Sequence, residues 1–96
     1  MPDAVRVLVV EDNIELRIDL KDVLSMEGYS VSATADGVEA LVFLENNRVD
    51  LVVSDNEMPN MDGVSLLRSV RSDKDMADLP FILLSANTPL VVEDDP

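Results

Sequence analysis

The sequence predicts an α/β protein, a doubly wound parallel sheet with helices on both faces. Three observations lead there. Short β-branched apolar runs alternate with amphipathic segments along the chain. Three of those runs end in polar residues at their carboxyl ends. No linker, repeat or low-complexity stretch divides the 96 residues, which suits a single small domain.

Val5–Val10 (VRVLVV) is nearly continuous in apolar residues, as expected of a strand buried on both faces. Asp12 and Asn13 then offer N-cap oxygens to a helix whose Leu16, Leu20, Val23 and Leu24 share one face, with Gly28 as its stop. Tyr29–Ala33 (YSVSA) alternates and reads as a less buried strand. Asp36 and Gly37 open a second helix with Ala40, Leu41 and Leu44 inward, ending near Asn46 and Asn47. Val49–Ser54 (VDLVVS) is a third strand. After the turn-rich stretch Asn56–Gly63, a third helix capped by Asp62 carries Val64, Leu67 and Val70 and runs out in the charged loop Ser72–Asp78. Pro80–Leu84 (PFILL) is a fourth strand.

Such alternation implies right-handed βαβ crossovers. The remainder, Ser85–Pro96, is too short for another helix and strand of ordinary length, so the fold is expected to be incomplete at its carboxyl end.

Composition narrows the chemistry. Twenty Asp+Glu against seven Lys+Arg give a net charge of −13, which opposes direct binding to nucleic acid or to an anionic membrane surface. Without cysteine there is no disulfide and no thiolate ligand; without histidine the usual general base is missing. No apolar run approaches the ~20 residues of a membrane span, and Met-Pro-Asp-Ala does not open a signal peptide, so a cytoplasmic domain is expected. Carboxylates, hydroxyls and backbone remain.

The strand ends place these groups together. Val5–Val10 delivers Glu11 and Asp12, Val49–Ser54 delivers Asp55, and Pro80–Leu84 delivers Ser85. An open parallel sheet binds its ligands beyond the carboxyl ends of its strands. Helix capping accounts for Glu11 or Asp12 taken singly. Three carboxylates at one sheet end need a counterion, and Mg²⁺, with oxygen ligands and open positions for water or phosphate, is the natural one.

The segments VLVVEDN, VSDNEMPNMDG and FILLSAN closely resemble the receiver domain of two-component response regulators, a CheY-like family, over residues 5 to about 87. The resemblance implies a flavodoxin-like doubly wound parallel sheet of strand order 2-1-3-4(-5). The chain is then one receiver domain over 1–96, with a core at 5–87 and a short atypical acidic tail at 88–96. It implies that Asp55 accepts a phosphoryl group from a sensor histidine kinase or phosphotransfer protein. Glu11, Asp12, Asp55 and the backbone carbonyl of Glu57 would hold Mg²⁺. The Ser85 hydroxyl and the Ala86 backbone N–H would meet the phosphoryl oxygens. Output would pass through a downstream protein or output domain, and the domain would be no enzyme beyond its own phosphorylation and dephosphorylation. With the carboxyl end incomplete, the resemblance implies that the first helix covers one sheet face alone and that the fourth strand is an apolar edge. Leu90–Val92 is expected to cover that edge or to pair with a neighbour's, the latter giving a homodimer; the first helix is the other surface through which a homodimer is expected.

Two departures stand beside this resemblance. The family's lysine on a fifth strand has no match, since the only lysines are Lys21 and Lys74. Its loss is expected to remove about 2 kcal/mol of phospho-state stabilisation. Glu57 sets a carboxylate beside the phosphoryl site, where it is expected to tune the lifetime of the phosphate. The alternative to a phosphoacceptor is a pseudo-receiver, an interaction module poorly switched by phosphorylation. A metal-dependent phosphatase ranks third, for want of a general acid or base and of a substrate pocket. The stretch from Asp55 to Gly63 lacks the residue order of a calcium loop, and Glu57 stands where a haloacid-dehalogenase-type hydrolase needs a second Asp.

Overall fold

The computed structural model describes residues 4–84 and 91–92. Among the described residues five strands and three helices follow one another as β1 (Arg6–Val10), α1 (Ile14–Met26), β2 (Ser30–Thr34), α2 (Gly37–Asn46), β3 (Leu51–Asp55), α3 (Gly63–Ser72), β4 (Phe81–Leu84) and β5 (Val91–Val92). The sheet order is β2-β1-β3-β4-β5. The first four strands are parallel, as the alternation of elements requires. β5 is antiparallel to β4, pairing Ile82 with Val92 and Leu83 with Val91. Of the two fates expected for the apolar edge of β4, the chain covers its own.

Each helix begins with a side-chain cap. Asn13 Oδ1 accepts from Leu16 N at 2.9 Å, Asp36 Oδ1 from Glu39 N at 2.9 Å, and Asp62 Oδ1 from Ser65 N at 2.8 Å. These bonds set where α1, α2 and α3 leave the sheet.

Alternation along the strands divides the apolar residues between two faces. Leu8, Val10, Val52, Phe81 and Leu83 meet Ala40 and Leu44 of α2 and Leu66, Leu67 and Val70 of α3 in one buried cluster. Val7 and Val9 face the other way and are buried, yet Leu51, Val53, Ile82 and Leu84 on that side are only half-buried. α1, which packs chiefly on β2 and β1, has no fully buried residue. Leu20 and Leu24 are half-buried, whereas Leu16 and Val23, expected on the inward face, are exposed. The helical period places them on the sheet side of α1, but the sheet beneath reaches only Leu20 and Leu24. One layer of helix cannot close over both.

Candidate functional site

β1 and β3 lie side by side with Val10 opposite Ser54, so the residues that follow each strand emerge at the same sheet end. Glu11, Asp12 and Asp55 each place a carboxylate oxygen within 4.8 Å of the others. Their exposure differs. Glu11 is buried, Asp55 half-buried and Asp12 exposed, so the cluster opens to solvent on one side.

The backbone fixes these groups. Glu11 N donates to Thr34 O at 3.0 Å, and Asn13 N donates to Glu11 Oε2 at 3.1 Å. Arg17 reaches back from the first turns of α1, donating to Glu11 O at 2.9 Å and to Asp12 O at 3.5 Å. Asn56 N donates both to Asp55 Oδ1 at 2.9 Å and to Leu84 O at 3.0 Å. Ser54, fully buried, donates its hydroxyl to Asp55 O at 2.8 Å.

Burial holds both inner carboxyls above their ordinary range. For Glu11 desolvation is the main cause, opposed by the Asn13 N–H and reinforced by the charges of Asp55 and Asp12. For Asp55 desolvation again leads, opposed by the N–H groups of Asn56 and Glu57 and reinforced by the charges of Asp12 and Glu57. Oxygen donors in surplus negative charge, open to water on one side, suit a hard divalent cation.

The loop after β3 supplies the rest. Glu57 is exposed at its start. Gly63 N donates to Asn56 O at 2.9 Å and Val64 N to Asn56 Oδ1 at 3.1 Å, so the loop returns on itself before α3 begins. A Cβ at Gly63 would stand 2.5 Å from Asp55 O and 2.5 Å from Leu83 Cδ1. Glycine is needed there because a side chain would push the backbone of Asp55 aside. The sequence showed a turn at Gly63 but not this approach, and it gave no sign of the return of Arg17. Ser85 and Ala86 lie outside the described residues; Leu84, just before them, is paired with Asp55.

A sequence profile of the response regulator receiver domain matches residues 7–96. The chain belongs to that family. Among curated relatives, response regulator MprA of Mycobacterium sp. (strain KMS) is 49% identical over 82 residues, covering 85% of this chain and 35% of that protein. Response regulator MprA of Mycobacterium bovis (strain BCG / Pasteur 1173P2) is 45% identical over 83 residues. The receiver thus spans about a third of the length of the relatives it matches. Among solved structures, chemotaxis response regulator CheY4 of Vibrio cholerae superposes with a TM-score of 0.85 at 34% identity, covering 90% of this chain and 72% of that one. Response regulator TrrA of Thermotoga maritima, solved in complex with Mg²⁺-BeF, gives 0.81 at 37% identity, covering 88% and 71%. The parallel order 2-1-3-4 implied by the resemblance is the order found. Among the described residues no helix is long and apolar enough to cross a membrane.

Proposed function

We propose that this receiver is a phosphoacceptor of a two-component relay, taking a phosphoryl group on Asp55 from a sensor histidine kinase or phosphotransfer protein. The observation that carries the reading is the meeting of Glu11, Asp12 and Asp55 carboxylate oxygens within 4.8 Å at one sheet end. Glu11, Asp12, Asp55 and the Glu57 carbonyl would hold Mg²⁺, which when bound neutralises the acidic cluster and the charge on the phosphoryl oxygens.

The chain's own residues do the rest. An Asp55 carboxylate oxygen attacks phosphorus as the donor's P–N bond breaks, and that bond's electron pair returns to the donor imidazole. The Asn56 amide and its neighbours hold Asp55 in place, so positioning substitutes for a strong nucleophile. Ser85, through its hydroxyl, and Ala86, through its N–H, would receive the phosphoryl oxygens from the segment after β4. Glu57 tunes how long the acyl phosphate lasts. On this reading residues 1–96 form one receiver domain with its core at 5–87 and an acidic tail at 88–96. It acts in the cytoplasm, turns over no external substrate, and passes its signal to a downstream protein or output domain.

The test is intact mass after incubation with acetyl phosphate and Mg²⁺. One phosphoryl adduct is expected, absent in Asp55→Asn and absent with EDTA. A folded wild-type chain that gains no adduct would defeat the phosphoacceptor reading and favour the interaction module. One observation speaks for that second reading. Ile14 and Ile18, one turn apart on one flank of α1, are 60% and 52% exposed, apolar side chains through which two copies could pair. Since β5 covers part of the β4 edge, α1 is the stronger route to a homodimer. Sedimentation at tens of micromolar decides it, and a monomer there would rule this route out.

A further inference from the structure

We infer that Asp36 and Asn60 form a brace that sets, from the α2 side, the position of the loop carrying Glu57, and so governs metal affinity without touching the metal. The inference rests on the reading of the carboxyl-end cluster as a Mg²⁺ site.

The loop between β3 and α3 is tied at both ends, by Asn56 to β4 and by the Gly63 and Val64 N–H groups back to Asn56. Between these ends the Glu57 N–H meets the Asp55 carboxylate, and a further tie crosses to another element. Asn60 Nδ2 donates to Asp36 Oδ2 at 2.7 Å. Asp36 is 8% exposed and divides its carboxylate between two tasks, Oδ1 capping α2 through Glu39 N and Oδ2 receiving Asn60. Asn60 has φ 68°, the left-handed region that asparagine tolerates better than most residues. Beside this bond the first residue of α2 presses on the same loop. A Cβ at Gly37 would stand 2.8 Å from Met61 Cγ and 2.9 Å from Met61 O. Glycine there lets helix and loop meet main chain to side chain, so the hydrogen bond is backed by contact.

Glu57 lies between the Asn56 tie and the Asn60 tie. A backbone carbonyl cannot adjust by changing rotamer; only the path of the loop can place it. Metal–ligand distances tolerate about 0.2 Å, so slack in the loop is felt as lost affinity. Groups that orient ligands from outside the coordination sphere change metal affinity by roughly 10–100-fold when removed. Asp36 and Asn60 are positioning residues of this kind, and they belong to α2 and the loop rather than to the strands that deliver the acids.

The experiment is Mn²⁺ binding to the whole chain by isothermal titration calorimetry, with amide exchange at Met61 in the metal-free protein as a second readout. Asp36→Ser keeps a capping oxygen but gives up the carboxylate arm. Asn60→Gly keeps the left-handed backbone and gives up only the donor, so it carries the test alone should the first variant unfold. Each is expected to weaken Mn²⁺ binding about tenfold. The double variant should be no weaker than either single one, because both remove the same bond. The reciprocal pair D36N with N60D, which reverses donor and acceptor, should recover most of the loss. Exchange at Met61, whose N–H donates to Pro59 O at 2.7 Å, should quicken in both singles. Singles that bind Mn²⁺ as tightly as wild type, or a double whose loss is the sum of the two, would overturn the brace. A wild-type chain that binds no Mn²⁺ would fail differently, removing the metal site itself and the brace with it.

Discussion

The two faces of the sheet are built to different standards. On one, α2 and α3 seal a cluster of ten buried residues against β1, β3 and β4. On the other, α1 lies over β1 and β2 with no residue of its own fully buried, and the outward side chains of β3 and β4 stay half-exposed. The candidate site draws on both. The site's loop and the main chain of Asp55 touch the sealed side, through Gly63 of α3 and Leu83, although strand alternation sends the Asp55 side chain to the other face with Leu51 and Val53. Its acidic pair leads into the thinly covered one, through α1 and Arg17. The lesson is that dense packing on one face fixes the main chain of the site, while its carboxylates fall on the other face and are held by backbone N–H groups.

The most direct way to break this contrast is to cut both faces alike. Leu66→Ala on α3 removes a side chain with no exposure and should cost about 3 kcal/mol, a large share of so small a domain's stability. Leu16→Ala on α1, at 46% exposure, should cost well under about 1 kcal/mol. Urea denaturation midpoints measure both, and equal losses would refute the asymmetry. Gly63→Ala comes next, at about 2 kcal/mol, since the added methyl meets both Asp55 O and Leu83. Its phosphorylation rate should fall more than its stability, and labelling at the wild-type rate would show that the loop can give way.

A smaller effect sharpens the electrostatic side. Glu11 and Asp55 hold protons to higher pH when folded than when unfolded. Their protonated forms therefore favour folding, fully below the ordinary values of 4.5 and 3.8, and this is lost as pH rises through the raised folded values. The metal-free chain should become more stable as pH falls from neutrality toward the region just above 4.5, and Asp55→Asn should flatten part of that slope. Asp36 and Asp62, held below their ordinary value by the N–H of Glu39 and of Ser65 respectively, act in the opposite sense, but only in stronger acid. Millimolar Mg²⁺ should reverse the trend, because it binds the ionised carboxylates. Denaturation midpoints across pH, with and without the ion, test this; a metal-free midpoint that falls on mild acidification would contradict it. The smallest change is expected from Val23→Ser with Met26→Ser on the open side of α1, within about 0.5 kcal/mol per residue.

Much of this was legible in the chain. The apolar runs located all four parallel strands to within two residues at each end, and Asp36 and Asp62 marked the starts of α2 and α3. The acids were legible because each stands at or just past the carboxyl end of a strand, and a parallel sheet brings such positions together whatever lies between. Two kinds of fact were not. Periodicity shows which side of a helix turns inward, but not how far the layer beneath extends, so Leu16 and Val23 were expected inward and lie exposed. Contacts between loops and distant main chain leave no periodic trace either. Gly63 against Asp55 O, Arg17 against Glu11 O and Asn60 against Asp36 depend on the completed path of the backbone.

Asn56 is the point where the end of β3, the end of β4 and the start of α3 are joined. Its N–H is shared between the Asp55 carboxylate and the end of β4, while its two oxygens receive the first two amides of α3. A residue tied in this way works as a rigid knuckle rather than a hinge. A pull on the Asp55 side chain cannot be absorbed within the loop; it must be divided between the end of one strand and the start of one helix. On the proposed reading, a phosphoryl group on Asp55 would therefore be felt both at the end of β4 and at the start of α3.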